Sequence, residues 1–271
     1  MPEANGFLSN VTPVILTYNE AANIGRALSK LTWASEVLIV DSFSDDGTTK
    51  IAGEYSNVRM VQRLFDQHAS QWNFAISKCD VSTEWVLALD ADWLMSDELI
   101  DELAKLSPND EAGYEIQFDF ALYGQPLRGS AYPPVVALFR RPGARFVQVG
   151  HTQRVHLSGA IGALRERLKH DDRKSLAQWL WSQARYAALE ARHLENSKES
   201  LPLTHRLRRL GFVTPWLIPV HCLFIKGGIL DGRAGLVYAL QRCVVELLIL
   251  IFRVSPWPEA HQTARVEADD D

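Results

Sequence analysis

The chain has 271 residues, of which 47% are hydrophobic and 23% charged, which is enough for one large globular domain or a domain with a substantial appendage. This composition excludes a disordered or low-complexity chain. The net charge of −5 conceals a division: residues 1–138 hold 8 Lys and Arg against 20 Asp and Glu, whereas residues 139–242 hold 18 against 7, and such a basic half favours phosphorylated substrates, nucleic acid or an anionic membrane as partners.

Strands and helices alternate through the first part of the chain. The predicted order is strand 11–17, a helix after Asn19, strand 36–40, helix 48–55, strand 58–62, helix 67–78, strand 84–90 and a helix from Ser96. Strands that alternate with helices form right-handed βαβ units. The sequence therefore predicts an α/β fold with a mainly parallel sheet flanked by helices.

The pattern changes after Pro108. Alternation of apolar and polar residues predicts a half-exposed strand over 115–120, and short strands follow over 135–140 and 145–149. From Lys174 onward the chain is expected to be helical. We therefore divide it into a core at 1–150, a second, helical region at 151–258 and a disordered tail at 259–271.

The segment Leu236–Phe252 is unusually apolar. Tyr238, Arg242 and Glu246 recur at helical spacing and form a narrow polar stripe on it. With 17 residues the segment is shorter than the ~20 that a membrane-spanning helix needs. It is expected to lie in a membrane interface or to pack in a core, and the basic segment upstream favours the interface.

The cysteines and the N-terminus indicate a reducing compartment. Cys79, Cys222 and Cys243 are odd in number and lack metal-ligand spacing, so we expect buried thiols rather than disulfides. Met1–Asn10 lacks the basic start and apolar core of a secretory signal. We expect a cytoplasmic protein.

Polar groups follow three of the predicted strands. Thr17–Glu20 follows the first, Asp41 ends the second, and Asp90 and Asp92 follow the fourth at a spacing that sends both carboxylates to one side. Carboxyl ends of parallel strands meet at one sheet edge, where ligands bind. Paired carboxylates suit Mg²⁺ or Mn²⁺ shared with a substrate phosphate.

Other nucleotide-binding motifs are absent. No Gly-x-Gly-x-x-Gly follows the first strand, which argues against a dinucleotide cofactor, and no Walker lysine loop is present. The basic half shows neither a nucleic-acid-binding module nor a pattern of stacking aromatics. We therefore expect no nucleic acid as a partner.

Four segments with these strand ends carry a family resemblance. They are Val14–Ile24, Val37–Ser42, Asp46–Thr48 and Leu89–Asp92. In order, spacing and strand context they resemble the family-2 glycosyltransferases with the GT-A (Rossmann-like) fold. Further features are closest to the bacterial lipopolysaccharide-core and exopolysaccharide glucosyltransferases: Tyr132–Pro133, Leu138–Arg141, Tyr186–Ala187 and Gly228–Gly235.

The resemblance implies roles for the residues at the strand ends. Thr17, Tyr18 and Glu20 would line the nucleotide pocket, Asp41 would hold uracil or ribose, Asp90 would contact the ribose or sugar, and Asp92, beside Asp90, would ligate a Mg²⁺ or Mn²⁺ that bridges the diphosphate. The family's Gln-Arg-Asn-x-Ala segment corresponds to Gln71–Ala75, which adds Gln71 and Asn73 to the pocket. Trp72 stands in place of the arginine and either stacks on a ligand ring or lies in the core.

The catalytic base is less well marked. Related sequences often show His-Glu where this chain has His151–Thr152, so the carboxylate is missing. His151 itself is one candidate, because its pKa lies near working pH. Asp119, on a neighbouring predicted strand, is the other. His170, Asp171 and Asp172 form a second polar cluster, which either provides a further metal or phosphate contact or caps the helix near Lys174. Capping is the favoured role of Asp172, and the role of His170 stays open.

The resemblance implies an inverting glycosyltransferase that moves a hexose from a nucleotide sugar, with UDP favoured, to a glycan or lipid-linked acceptor in bacterial cell-surface polysaccharide synthesis. It would be cytoplasmic, with peripheral contact to the anionic inner face of the membrane left open. One alternative is a catalytically degenerate scaffold at the membrane. A sugar-phosphate nucleotidyltransferase is disfavoured, because no glycine precedes Gly25 in the first loop.

Overall fold

The computed structural model describes residues 6–128, 132–149, 152–196 and 212–255. The strands are β1 (Val11–Thr17), β2 (Val37–Asp41), β3 (Val58–Gln62), β4 (Trp85–Asp90), β5 (Trp93–Leu94), β6 (Glu111–Leu122), β7 (Gln125–Leu127), β8 (Val135–Arg140), β9 (Arg145–Val149), β10 (Thr152–His156) and β11 (Ala160–His170). The helices are α1 (Ile24–Ser29), α2 (Thr48–Ala52), α3 (His68–Lys78), α4 (Asp97–Ala104), α5 (Leu176–Asn196), α6 (Thr214–Val220) and α7 (Gly232–Val254).

A nine-stranded mixed sheet forms the centre of the protein. Its order is β3-β2-β1-β4-β8-β6-β11-β5, with β7 paired to β6 and a separate β9–β10 hairpin beside it. The predicted parallel arrangement holds for β1 to β4. The second half is mixed, because β8 runs antiparallel to both β4 and β6 while β11 runs parallel to β6.

Both faces of the parallel half are buried. Ile15, Ile39 and Leu87 face the larger core, which includes residues of α1 and α4. Val14 and Leu38, one residue away in register, face α3 and β9. A strand covered on both faces shows a continuous apolar run rather than alternation, and this is why the runs at 11–17, 37–41 and 85–90 were recognisable as strands.

The core extends beyond the predicted boundary at residue 150. β11 joins the central sheet between β6 and β5, so the sheet ends at His170. The register of β11 against β6 shifts between Ala163 and Arg167, which leaves Leu164 and Leu168 as its buried residues. A spacing of four fits a helix as well as a strand, and the register shift interrupts the alternation of apolar and polar residues, so the sequence pattern did not reveal this strand.

The C-terminal part is helical, as predicted. α7 packs on α5 through Val245 and Ile249, and near its start Tyr238 and Ala239 pack against the β6–β7 hairpin. By length and composition alone, Gly228–Val254 could also cross a membrane, with one third of its apolar window buried. Its packing at both ends fastens α7 to the rest of the protein.

The chain after β11 is anchored to α1 by buried charges. The fully buried Asp171 carboxylate accepts from Arg26 Nη2 at 2.7 Å, Arg173 Nη2 at 2.9 Å and the Gly124 N–H at 2.8 Å. Asn23, also buried, donates to Asp172 at 2.8 Å and accepts from the Arg173 N–H at 2.9 Å. We call residues 171–174 the strap, because they fasten the end of β11 to α1.

Asp171→Ala should lower the free energy of unfolding by about 3 kcal/mol, because it leaves two guanidinium groups and a buried N–H without their acceptor. Burial acts to raise the pKa of Asp171, but hydrogen bonds from Arg173 and Gly124 outweigh it and the pKa lies below its ordinary value. Stability from such a group is lost as the pH falls through the folded pKa. In urea denaturation, the difference in unfolding free energy between Asp171→Ala and wild type should therefore narrow below about pH 4.

Asp101→Ala is the matched control, because Asp101 lies on the exposed side of α4. It should change the unfolding free energy by about 0.5 kcal/mol or less. An Asp171→Ala protein as stable as this control at pH 7 would contradict the anchoring role.

Candidate functional site

Asp41, at the end of β2, is the centre of the first part of the site. Its buried carboxylate accepts from Thr17 Oγ1 at 2.8 Å, the Ser44 N–H at 2.9 Å, Ser44 Oγ at 2.5 Å and Gln62 Nε2 at 3.2 Å. Four donors match the acceptor capacity of a carboxylate. A nucleobase or ribose that reaches Asp41 must therefore replace one of them, and the Gln62 bond is the longest.

The loops after β1 and β2 are held together. The Asn19 N–H donates to Ser44 Oγ at 2.9 Å, and the Glu20 N–H donates to Thr48 Oγ1 at 2.8 Å. Asn19 has a φ of 56°, in the left-handed region that asparagine tolerates better than most residues. Tyr18 next to it is exposed, with its ring 6.3 Å from that of Trp181 on α5. The loops form one rim of an open site.

Three carboxylates and one ammonium group crowd the second part of the site. Burial, followed by the charges of Asp92 and Glu20, raises the pKa of Asp90 to about 7. Burial also raises the pKa of Glu20 to about 7, with Lys174 lowering it and Asp92 raising it. Lys174 Nζ lies 2.5 Å from Glu20 Oε1. The excess negative charge makes this point of the sheet edge attractive to a cation.

His170 lies against the carboxylate pair. Its Nε2 is 3.6 Å from Asp92 Oδ2, because β5 and β11 pair Trp93 with His170. The imidazole stacks on Phe120 at 4.6 Å and contacts the ring of Tyr132 at 4.9 Å. Burial, with the charges of Asp90 and Asp92, raises the pKa of Tyr132 well above its usual value. The rings of Phe120, Tyr132 and His170 thus line one side of the carboxylates, and we call them the ring wall.

The donor set fits a hard divalent cation that is shared with a ligand. Asp90 and Asp92 offer oxygen ligands, and His170 adds a nitrogen next to Asp92. Within the described ranges, no three His, Cys, Asp or Glu side chains are grouped so as to hold a metal by themselves. Mg²⁺ commonly takes one or two protein carboxylates and completes its shell with water and phosphate oxygens.

This arrangement agrees with a comparison of the chain with known families. The model of "Glycosyl transferase family 2" matches residues 12–167, which is more than half of the chain. The chain belongs to this family. The matched range starts in β1 and ends in β11, so it reaches every strand of the central sheet. The resemblance seen in the sequence is confirmed.

Known relatives and structures agree with the family. The mannosyltransferase PcManGT from Pyrobaculum calidifontis was solved with GDP-Man and Mn²⁺ and is 17% identical to this chain. The two structures align over 94% of this chain and 89% of PcManGT with a TM-score of 0.54. They share a fold, which confirms the fold prediction. The lipopolysaccharide core biosynthesis glycosyltransferase LpsC from Rhizobium meliloti is 27% identical over 83% of this chain and 87% of its own.

An uncharacterized glycosyltransferase from Rickettsia felis is 36% identical over 97 residues. The match covers 35% of this chain and 33% of that protein, so the chain spans about a third of this relative's length.

The helix α3 separates two predicted pocket residues of this family-2 chain. Gln71 is buried and donates to Ser42 Oγ at 2.9 Å, so it supports the loop next to Asp41. Asn73 faces the other way: its Nδ2 donates to the Phe146 carbonyl at 2.9 Å and its Oδ1 accepts the Phe146 N–H at 2.8 Å. Asn73 thus fastens β9 to α3, and the structure does not bring it to the pocket.

Trp72 is a core residue. It is buried, and its ring stacks on Phe146 with centroids 5.3 Å apart and planes 18° apart. Of the two interpretations given for this position, ligand stacking is therefore wrong. A different residue brings a guanidinium group to this end of α3. Arg63, just after β3, donates to Gln71 Oε1 and pairs with Asp66 at 2.9 Å.

The two predicted bases have different outcomes. His151 lies outside the described residues. Asp119 does not join the carboxylate cluster: it alternates on β6 with Phe118 and Phe120, whose rings face His170, and it pairs with Arg167 at 3.2 Å. It lines a cleft of about 370 Å³ with Arg128 and Tyr132.

Lys174 and Gln62 were missed by the sequence analysis. Lys174 reaches the carboxylates only because the strap anchors it to α1, and no local pattern marks it. Gln62, as the last residue of β3, could have been found by the rule that the carboxyl ends of parallel strands share an edge. His170, whose role was left open, lies beside Asp92. Asp172, for which capping was favoured, lies on the strap and accepts the Lys174 N–H at 3.0 Å.

Asn73→Ala should lower the free energy of unfolding by about 2 kcal/mol, because the buried N–H and C=O of Phe146 lose their partners. The affinity of the folded protein for a nucleotide should stay within about twofold. Urea denaturation and nucleotide titration measure the two effects, with Ser77→Ala on the exposed side of α3 as the control. A large loss of affinity at unchanged stability would instead place Asn73 in the pocket.

Lys174→Met should lower the melting temperature without metal and enlarge its rise on adding Mn²⁺. The substitution leaves three crowded carboxylates without their ammonium group, so a cation gains more from binding. Differential scanning calorimetry with and without Mn²⁺ measures both effects. Lys30→Met, which breaks the exposed pair with Asp97, should leave the Mn²⁺-induced rise unchanged. Equal rises in both variants would refute the charge balance described above.

Proposed function

We propose that this protein is an inverting glycosyltransferase that moves a hexose from a nucleotide sugar, with UDP as the favoured nucleotide, to a glycan or lipid-linked acceptor in bacterial cell-surface polysaccharide synthesis. The observation that carries the proposal is the meeting of Asp41 with Asp90 and Asp92 at one sheet edge. Thr17 and Leu16 on β1 pair with Asp41 and Asp90 on the strands either side, so a nucleoside site and a diphosphate site adjoin.

Each part of the site has a role in this proposal. The loops that follow β1 and β2 surround Asp41 and, together with Thr17, Tyr18 and Gln62, bind the nucleoside. Asp90 and Asp92, with His170, hold Mg²⁺ or Mn²⁺, which supplies charge neutralisation of the leaving diphosphate when bound. Glu20 and Lys174 fix the charge balance at that point, and Gln71 supports the loop.

The transfer needs a base on the acceptor side. The acceptor hydroxyl loses its proton as its oxygen bonds to the anomeric carbon, and the bond from that carbon to the nucleoside diphosphate breaks on the opposite face. His151 remains the proposed base. The ring wall of Phe120, Tyr132 and His170 excludes water from one side of the carboxylates, which strengthens their electrostatic interactions.

The comparisons support the choice of reaction and pathway class. LpsC bears the name of a lipopolysaccharide core biosynthesis enzyme and aligns over most of both chains, which favours a cell-surface glycan as acceptor. PcManGT was solved with a nucleotide sugar and Mn²⁺, which favours the same ligand classes here. With such an acceptor, the protein would work at the inner face of the cell membrane.

A degenerate scaffold is the second candidate, because Trp72 and Thr152 replace residues that the family resemblance leads one to expect. Such a protein would bind a nucleotide sugar without turnover. Incubation with UDP-glucose and membrane extract, followed by measurement of released UDP, distinguishes the two. Release that requires both Mn²⁺ and extract supports transfer.

Isothermal titration with UDP and with GDP, each with and without Mn²⁺, tests the donor site. We expect UDP binding to require Mn²⁺ and to weaken by about tenfold or more, ~1.4 kcal/mol, in Asp92→Ala, because the diphosphate and the carboxylate share the cation.

Asp101→Ala, an exposed carboxylate on α4, should bind like wild type. Tighter binding of GDP than UDP would correct the nucleotide. Metal-independent binding that Asp92→Ala leaves intact would overturn the assigned role of the pair.

A further inference from the structure

Residues 212–236 form a compact segment on the outside of the β6–β7 hairpin. It consists of α6, a π-helical turn over His221–Ile225 and a 3₁₀ turn over Gly228–Asp231, and it leads into α7. On its inner side, Cys222 and Leu223 pack against Leu122 and Leu127. We call this segment the platform. Its inner side packs on the hairpin whose strand β6 carries Phe120, one of the rings beside the carboxylates.

The outer side of the platform exposes bulky apolar side chains. Each of the following is half exposed or more: Trp216, Leu217, Phe224, Ile225, Ile229 and Leu230. Phe224 and Ile225 are adjacent in the π-helical turn, and Ile229 and Leu230 are adjacent in the next turn. Isolated exposed apolar residues are ordinary, but a dense group of large ones marks an interaction surface.

Positive charge accompanies this apolar surface. Lys226 and Arg233 are exposed within the platform, and Arg128 is exposed beside it. Asp231 is the one acidic residue between 212 and 236, and its side chain is almost fully buried, with Oδ2 accepting the Arg128 N–H at 2.7 Å. The platform therefore presents apolar and cationic groups with no exposed carboxylate among its residues, all of which are described.

This combination favours an anionic bilayer over a second copy of the chain. A symmetric dimer would place the same patch on both sides and bring its cations together, which costs free energy. A leaflet of anionic lipid instead accepts the apolar side chains at the level of the headgroups and attracts lysine and arginine around them.

We propose that the platform docks in the plane of an anionic lipid bilayer and holds the sugar-transfer site at its surface. α7 supports the platform and does not cross the bilayer, since Tyr238 and Ala239 pack on the β6–β7 hairpin while Val245 and Ile249 pack on α5. Docking rests on the platform alone. Its role for the site rests on the function proposed above.

The platform lies close to the carboxylates through two ring contacts. Tyr238, which packs in the same cluster as the inner side of the platform, contacts Phe120 with ring centroids 5.2 Å apart. Phe120 stacks on His170, which lies beside Asp92. These contacts connect the inner side of the platform to the ring wall beside Asp92, so the docking face and the sugar-transfer site are joined by packed side chains.

Vesicle flotation tests the docking. The wild-type chain should float with vesicles of equimolar phosphatidylcholine and phosphatidylglycerol, should float less with pure phosphatidylcholine, and should be partly released by salt. The triple variant Phe224→Ser, Ile225→Ser, Leu230→Ser should lose about tenfold or more of its partitioning. Lys226→Glu with Arg233→Glu should lose the preference for phosphatidylglycerol.

Matched controls carry the same kinds of change elsewhere. Ile161→Ser with Val147→Ser removes exposed apolar groups from β11 and β9, and Lys50→Glu with Lys78→Glu reverses exposed charges. Both should float like wild type. UDP titration of every variant verifies that it is folded, and it separates a failure of docking from a failure of the nucleotide site.

Three results would overturn the proposal. The wild-type chain could fail to float with anionic vesicles, or the triple variant could float as well as wild type. Sedimentation could also show a wild-type dimer that the triple variant loses, with no flotation of either, which would make the platform an interface between copies.

Discussion

The site is governed by the repulsion of Glu20, Asp90 and Asp92. The topology brings these carboxylates together. Because β1 and β4 are parallel neighbours, the loops that follow them begin side by side at the same edge of the sheet. A buried group of like charges persists only with protons or a counter-charge. Lys174 provides the counter-charge. The strap that carries Lys174 is held by two contacts: Asp171 pairs with Arg26 on α1, and Asp172 accepts from Asn23 just before α1. Packing of β11 against the first half of the chain therefore serves the electrostatics of the site.

The parallel half of the fold, and the acids at its edge, were predictable because their signals are local. The apolar runs of β1, β2 and β4 are continuous since both faces are covered, and each ends in a polar residue at the edge where ligands collect. Asp41, Asp90 and Asp92 followed from that rule alone. Thr17–Glu20 was found by the same rule, while the pocket roles of Tyr18 and Glu20 came from the family resemblance, and their loop does border the cluster.

The remainder depends on long-range packing. A helix turns by about 200° over two residues, so Gln71 and Asn73 cannot face the same side, and only the position of β9 reveals which one is turned from the pocket. Asp119 was misplaced for a related reason, since alternation on β6 sends it away from Phe118 and Phe120. The shifted register of β11 removed the alternation that marks a strand. Lys174 carried no signal, because its partner lies far away in the chain.

That separation has a consequence for synthesis. Glu20 and Lys174 lie 154 positions apart in the chain. During translation, β1 to β4 leave the ribosome well before Lys174, and at usual elongation rates the delay is on the order of 10 s. Any sheet edge that β1 to β4 formed in that interval would hold its acids with no ammonium group beside them. Protons or dissolved cations would then have to balance the carboxylates until Lys174 arrives.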